Sequence, residues 1–149
     1  MDLFNIINEL EARADTARAL DMSRYMKNRF PFFGIQAPIR DEICKPYFKD
    51  VKKEKKIDWD FVEYCWQHEK RECQYIAAHY LKSLQKFLEI TDFEKLKKLV
   101  IKKSWWDTVD NMAHEVGHIV VTYPETKATM LAWSRHDDFW VRRLAILHQ

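Results

Sequence analysis

The sequence predicts an all-α fold, an α-solenoid of antiparallel helix pairs, on three observations. Amphipathic patterns of helical period follow one another with only short breaks, and no alternating run is long enough for a confident strand. Only two glycines and four prolines occur in 149 residues, so the tight turns and corners of an all-β fold are scarce. A period of 33 also recurs: Ala77, Asp110 and Arg143 are equally spaced, and Ala78, Asn111 and Leu144, then Tyr80, Ala113 and Ile146, follow in step. Helix pairs with a period in the thirties are the sign of a solenoid, in which equivalent positions line up along one surface.

Taken in order, the patterns place helices over 2–14, 16–29, 38–51, 59–68, 71–88, 91–102, 105–122, 125–135 and 138–148. Pro38 and Pro124 suit first helical turns, where a missing N–H costs nothing. Thr91, Ser104 and Asp137 are the expected N-caps of the helices they precede. The three members of each repeat triplet fall in 71–88, 105–122 and 138–148, the second helix of successive pairs. Asp110 and Arg143 are therefore expected near each other, facing a common groove. Trp59, Trp66, Phe87 and Trp133 stand at helical spacing among apolar residues and read as core.

The length predicts one domain over 1–149, and 47% hydrophobic residues, 14% of the chain aromatic, supply a core. No apolar run approaches the ~20 residues that span a membrane. The start, Met1-Asp2-Leu3-Phe4, lacks the layout of a signal peptide. Cys44, Cys65 and Cys73 are odd in number and lack metal-type spacing, which predicts buried or free thiols in a reducing cytoplasm. Net charge is only +2 but uneven: residues 1–56 carry 12 Lys/Arg against 9 Asp/Glu, and residues 105–149 carry 4 against 6. The basic surface a nucleic-acid partner would need is modest and concentrated in the N-terminal half. The run Lys52-Lys53-Glu54-Lys55-Lys56 reads as a solvated loop.

The most informative stretch is Lys103-Ser104-Trp105-Trp106-Asp107-Thr108-Val109-Asp110. Trp106 and Asp110 are four apart and share a helix face. An aromatic face beside a carboxylate suits a cationic group, because both are electron-rich. The alternative reading is a core tryptophan beside a solvated aspartate. For Arg143 the two readings are a phosphate clamp and a salt bridge to Asp110 across the repeat. A rival motif, His114-Glu115-Val116-Gly117-His118, is a literal H-E-x-x-H, the pattern of a zinc metallohydrolase. Five residues make a permissive match, Gly117 weakens a helix, and only Glu125, His136 and Asp137 offer a third ligand downstream. The bland reading has both histidines on the surface or paired locally.

Three blocks carry a resemblance. Ser23-Arg24-Tyr25-Met26-Lys27-Asn28-Arg29-Phe30 with Phe33-Gly34-Ile35-Gln36-Ala37-Pro38-Ile39-Arg40, then Lys103 to Asp110, then Trp140-Val141-Arg142-Arg143-Leu144-Ala145-Ile146-Leu147, resemble in order and spacing the AlkD-like DNA alkylation repair proteins. The resemblance covers essentially the whole chain. It implies HEAT-like repeats in a curved superhelix. It also implies a DNA glycosylase for cationic alkylated purines in double-stranded DNA, with no cofactor and no metal. Asp110, Trp106 and Arg143 match the family's catalytic or substrate-contacting residues. Tyr25, Arg24, Lys27, Arg29, Trp105 and Arg142 match positions expected to face DNA. For Tyr25 the alternative is a partly buried ring on an amphipathic helix. A non-catalytic module that binds DNA or protein remains the second expectation. Finally, the sequence stops inside an apolar helix, at Ile146-Leu147-His148-Gln149. A C-terminally truncated version of a longer domain is therefore expected, weak or inactive as an enzyme, with an apolar end open to self-association.

Overall fold

The computed structural model describes all 149 residues and contains helices but no strand. The chain has the helix-pair architecture of an α-solenoid, and it divides into two compact units, Met1–Ser83 and Leu84–Gln149. No helix is long and apolar enough to cross a membrane.

The first unit holds α1 (Asn5–Ala12), α2 (Thr16–Tyr25), α3 (Ala37–Val51), α4 (Trp59–Gln67) and α5 (Arg71–Ser83). α1 packs on α3, α3 on α5, and α4 on α5. Ile6, Leu10, Phe61, Trp66, Ile76, Tyr80 and Leu81 are buried between them. Phe61 meets Tyr80 edge to face at 5.1 Å, and the Tyr80 hydroxyl accepts the Asp58 backbone N–H at 2.8 Å. All three cysteines are buried here.

Two sequence expectations shorten. The helix expected over 16–29 ends at Tyr25, because Lys27 and Asn28 both adopt left-handed backbone with φ 57. The N–H of Lys27 reaches the Arg24 carbonyl at 2.9 Å and that of Asn28 the Ser23 carbonyl at 2.8 Å. This is a Schellman close, built here without the usual glycine. The helix expected over 71–88 ends at Ser83, whose hydroxyl bonds back to the His79 carbonyl at 3.0 Å, and Gln85–Phe87 tighten into a 3₁₀ turn.

A buried polar knot joins α5 to the segment before α3. Arg71 and Glu72 are both fully buried. The Glu72 carboxylate accepts three consecutive backbone N–H groups, from Phe33 at 2.8 Å, Gly34 at 2.8 Å and Ile35 at 3.0 Å. The Arg71 guanidinium lies 3.7 Å over the Phe30 ring, and its backbone N–H bonds the Pro31 carbonyl at 2.9 Å. Gly34 has φ +93, and a Cβ there would stand 2.1 Å from the Asp15 carbonyl oxygen. Only glycine allows this segment to lie against the start of α2.

The second unit holds α6 (Phe93–Val100), α7 (Trp106–Thr122), α8 (Lys127–Trp133) and α9 (Phe139–Leu147). α6 is strongly two-faced: Phe93, Leu96, Leu99 and Val100 point inward while Glu94, Lys95 and Lys98 stay in water. α7 packs on α6 and α9, and α8 packs on α9. Phe93 stacks on Trp133 at 4.6 Å. The caps differ from expectation. Ser104 does not cap α7; its hydroxyl donates to the Val100 carbonyl, and Trp105 occupies the cap position. Asp138, not Asp137, caps α9, accepting from Trp140 at 2.8 Å and Val141 at 3.2 Å. Thr91 lies within a 3₁₀ turn, Ile90–Asp92, closed by a capping box between Glu89 and Asp92.

Candidate functional site

α7 and α9 lie side by side and run in the same direction. Trp105, at the start of α7, meets Trp140, at the start of α9, with ring centroids 5.7 Å apart. Further along, Asp110 meets Arg143. Near the far ends, Gly117 faces the His148 carbonyl. This register places Asp110 beside Arg143, its equivalent in the next repeat.

The Asp110–Arg143 contact is bidentate. Arg143 Nε donates to one carboxylate oxygen at 2.7 Å and Nη2 to the other at 2.8 Å. Both side chains are 37% exposed, so the pair is open to solvent on one side. Hydrogen bonding to Asp110 pushes the Arg143 pKa above its ordinary value, so the guanidinium is always charged. The fork fixes the plane of the carboxylate. A carboxylate has about four lone-pair sites, so two remain for water or another donor. Trp106 stands one turn before Asp110 on α7 and is 43% exposed. Thus Asp110 and Arg143 meet, Trp106 stands one turn away on the same helix, and of the two readings of Arg143 it is the ion pair to Asp110 that is present.

The other expected contacts divide. Trp105 is half-buried against Trp140. Arg142 is tied down: its Nη1 donates to the His136 carbonyl at 2.7 Å and the Asp137 carbonyl at 3.0 Å, holding the turn before α9. Tyr25 is 75% exposed at the end of α2, which corrects the reading of a partly buried ring. Arg24, Lys27 and Arg29 are exposed around it, Arg24 within 3.9 Å of Asp21. These four residues form one local cluster of the first unit.

The H-E-x-x-H motif does not assemble a zinc site. His114 is exposed while Glu115, which would have to reach a metal-bound water, is buried. No group of three His, Cys, Asp or Glu side chains gathers at ligand geometry. Gly117 has a packing role instead: a Cβ there would stand 2.7 Å from the His148 carbonyl oxygen, so glycine lets the end of α9 seat against α7.

Sequence reasoning missed Glu72 and Phe139. A buried carboxylate that organises a backbone has no sequence signature. Phe139 reads as an ordinary apolar helix residue, yet it is 55% exposed and meets Trp140 edge to face at 5.0 Å.

Residues 6–149 match the family model described as DNA alkylation repair enzyme. A solved structure from Enterococcus faecalis, described as a predicted DNA alkylation repair enzyme, is 29% identical and superposes with a TM-score of 0.80 over 91% of this chain. The chain spans 65% of the length of that structure. No curated protein matches it.

Proposed function

We propose that this chain, which belongs to the DNA alkylation repair enzyme family, is a DNA glycosylase that hydrolyses the bond between a cationic alkylated purine and deoxyribose in double-stranded DNA. The observation that carries this reading is the oriented, half-exposed Asp110 carboxylate with the Trp106 ring one turn away.

The chemistry follows from the charges. A purine alkylated at a ring nitrogen is already positive. When the C1′–N bond breaks, its electron pair moves onto the base and neutralises it, so no general acid is required. The positive charge passes to the sugar as an oxocarbenium ion. The Asp110 carboxylate stabilises that charge, and its free lone pairs orient a water whose oxygen bonds to C1′ and whose proton passes to the carboxylate or to solvent. The Trp106 face favours the cationic sugar. Arg143 holds the carboxylate in place and offers a cation to the neighbouring phosphate. Tyr25, Arg24, Lys27 and Arg29 contribute DNA contacts, the ring against the sugar–phosphate surface and the cations at phosphates. The protein would work beside the DNA, in the cytoplasm or nucleoid.

A second reading has a specific observation behind it. The bidentate Asp110–Arg143 bond also ties successive repeats together, and in a binding module that tie would be its whole purpose. Release of alkylated base from methylated duplex DNA by the wild-type chain and by Asp110→Asn separates the two. The glycosylase reading expects base release that falls about 10²–10³-fold in the variant, with an unchanged helical spectrum. No release by the wild type, or equal release by both, refutes it.

A further inference from the structure

The two helices that carry Asp110 and Arg143 begin in a cluster of aromatic rings. Trp140 meets Trp105 at 5.7 Å with the ring planes 55° apart, and meets Phe139 at 5.0 Å with the planes 85° apart. Trp106 adjoins Trp105 in sequence and is 43% exposed, and Phe139 is 55% exposed. Single exposed apolar residues are ordinary, but a contiguous aromatic surface is not.

The position of this ledge is set by helix geometry. Trp140 precedes Arg143 by three residues and Phe139 precedes it by four, spacings that share a helix face. At about 1.5 Å per residue, Phe139 and Trp140 lie about 5–6 Å from Arg143 along α9, and Trp105 about 7–8 Å from Asp110 along α7. A DNA strand rises about 3.4 Å per nucleotide. For a strand that runs along these two helices, the ledge is one to two nucleotide steps from the sugar that Asp110 would face. The Arg142 guanidinium, 5.9 Å from the Phe139 ring, adds positive charge where the strand's phosphates would run.

The shape of the ledge selects what it can hold. Phe139 and Trp140 are nearly perpendicular, so they share no plane on which a flat base could overlap both. Bases inside a duplex also have both faces covered by their neighbours. A deoxyribose is puckered, presents C–H groups in several directions, and fits a corner between two ring faces, whose negative quadrupole attracts polarised C–H.

We propose that Phe139, Trp140 and Trp105 form a second deoxyribose-binding subsite, which holds the nucleotide next to the one on which Asp110 acts. This proposal rests on the glycosylase reading of Asp110.

The test uses duplexes bearing one cationic pyrrolidine in place of a deoxyribose, a mimic of the oxocarbenium sugar that Asp110 would hold. In a second set, the neighbouring nucleotides are replaced by tetrahydrofuran residues, which keep the sugar and lack the base. Affinity is measured by fluorescence anisotropy for wild type, Phe139→Ala, Trp140→Phe and Asp110→Asn. Phe139 is exposed, so its truncation leaves the core intact. Phe139→Ala is expected to weaken binding about three- to tenfold, equally with and without the flanking bases. Trp140→Phe, which keeps an aromatic face, is expected to stay within about threefold of wild type. If Phe139→Ala binds as tightly as wild type, the subsite is refuted. If its loss disappears once the flanking bases are gone, the ledge stacks on a base and the proposal is likewise overturned. If the pyrrolidine duplex is bound no better than plain duplex and Asp110→Asn changes nothing, the glycosylase reading itself fails. A loss on Asp110→Asn alone leaves that reading standing and removes only the subsite.

Discussion

Replacing Glu72 by glutamine tests the idea that one buried carboxylate holds the segment from Phe33 to Ile35 in place. The carboxylate is fully buried and accepts three backbone N–H groups, one on Oε1 and two on Oε2. Hydrogen bonds to a charged group contribute about 1.5–3 kcal/mol each, and neutral ones about 0.5–1.5. In Glu72→Gln the amide oxygen can keep the bonds from Gly34 and Ile35, each weaker by about 1 kcal/mol because the charge is gone. The amide NH₂ then faces the Phe33 N–H, donor against donor, and that orphaned group costs a further ~1–3 kcal/mol. The sum is about 3–5 kcal/mol, a large part of the 5–15 kcal/mol typical of a domain. Urea unfolding followed by circular dichroism measures it, and hydrogen exchange at the amides of Phe33, Gly34 and Ile35 localises it. A loss below about 1 kcal/mol, with those amides still protected, would show that the bonds are incidental.

Two further outcomes follow from the second unit. Arg143→Lys keeps the charge but cannot form the fork, so base release should fall at least tenfold while stability changes by about 1 kcal/mol or less, as for any half-exposed pair; single-turnover release and a thermal melt read the two effects, and unchanged release would show that orientation of Asp110 does not matter. Gly117→Ala should lower stability by roughly 1 kcal/mol, because the ~1 kcal/mol gained in helix propensity is outweighed by an overpacking cost of up to ~3 kcal/mol at the His148 carbonyl; a raised melting temperature would mean that the end of α9 does not seat there.

The helices were legible because burial imposes its period on the sequence, and every expected helix has its counterpart. Their ends were less legible, for identifiable reasons. Lys27 and Asn28 continue the polar pattern of α2; Asn28 is a residue type that tolerates left-handed backbone, but Lys27 is not, and the pair of bonds to Arg24 and Ser23 that closes the helix is visible only in space. Ser104 has the right chemistry for a cap in the right place. Its hydroxyl finds the Val100 carbonyl first, because the end of α6 lies four residues upstream. Asp137 and Asp138 are equally good caps by composition, and the fold uses the second.

The site was legible to the degree that it depends on register. Asp110 and Arg143 are 33 residues apart, and the bond between them forms because α7 and α9 are equivalent, parallel neighbours. Period alone brought them together. Residues whose role depends on what lies opposite them gave no such signal. Gly117 looked like part of a metal motif because the sequence does not reveal the His148 carbonyl that faces it. Phe139 carries no signal of its own, because an apolar residue in a first helical turn is usually covered. The same register accounts for both. With Asp110 beside Arg143, Trp105 comes within ring contact of Trp140 at one end of the helices, and Gly117 comes under the last turn of α9 at the other. A glycine far from Asp110 along the helix is thereby coupled to the geometry of the ion pair. If that coupling holds, Gly117→Ala should lower base release beyond what its unfolded fraction explains, measured at a temperature where the variant is fully folded. Full activity under those conditions would show that the register is set by the aromatic contacts at the start of the helices alone.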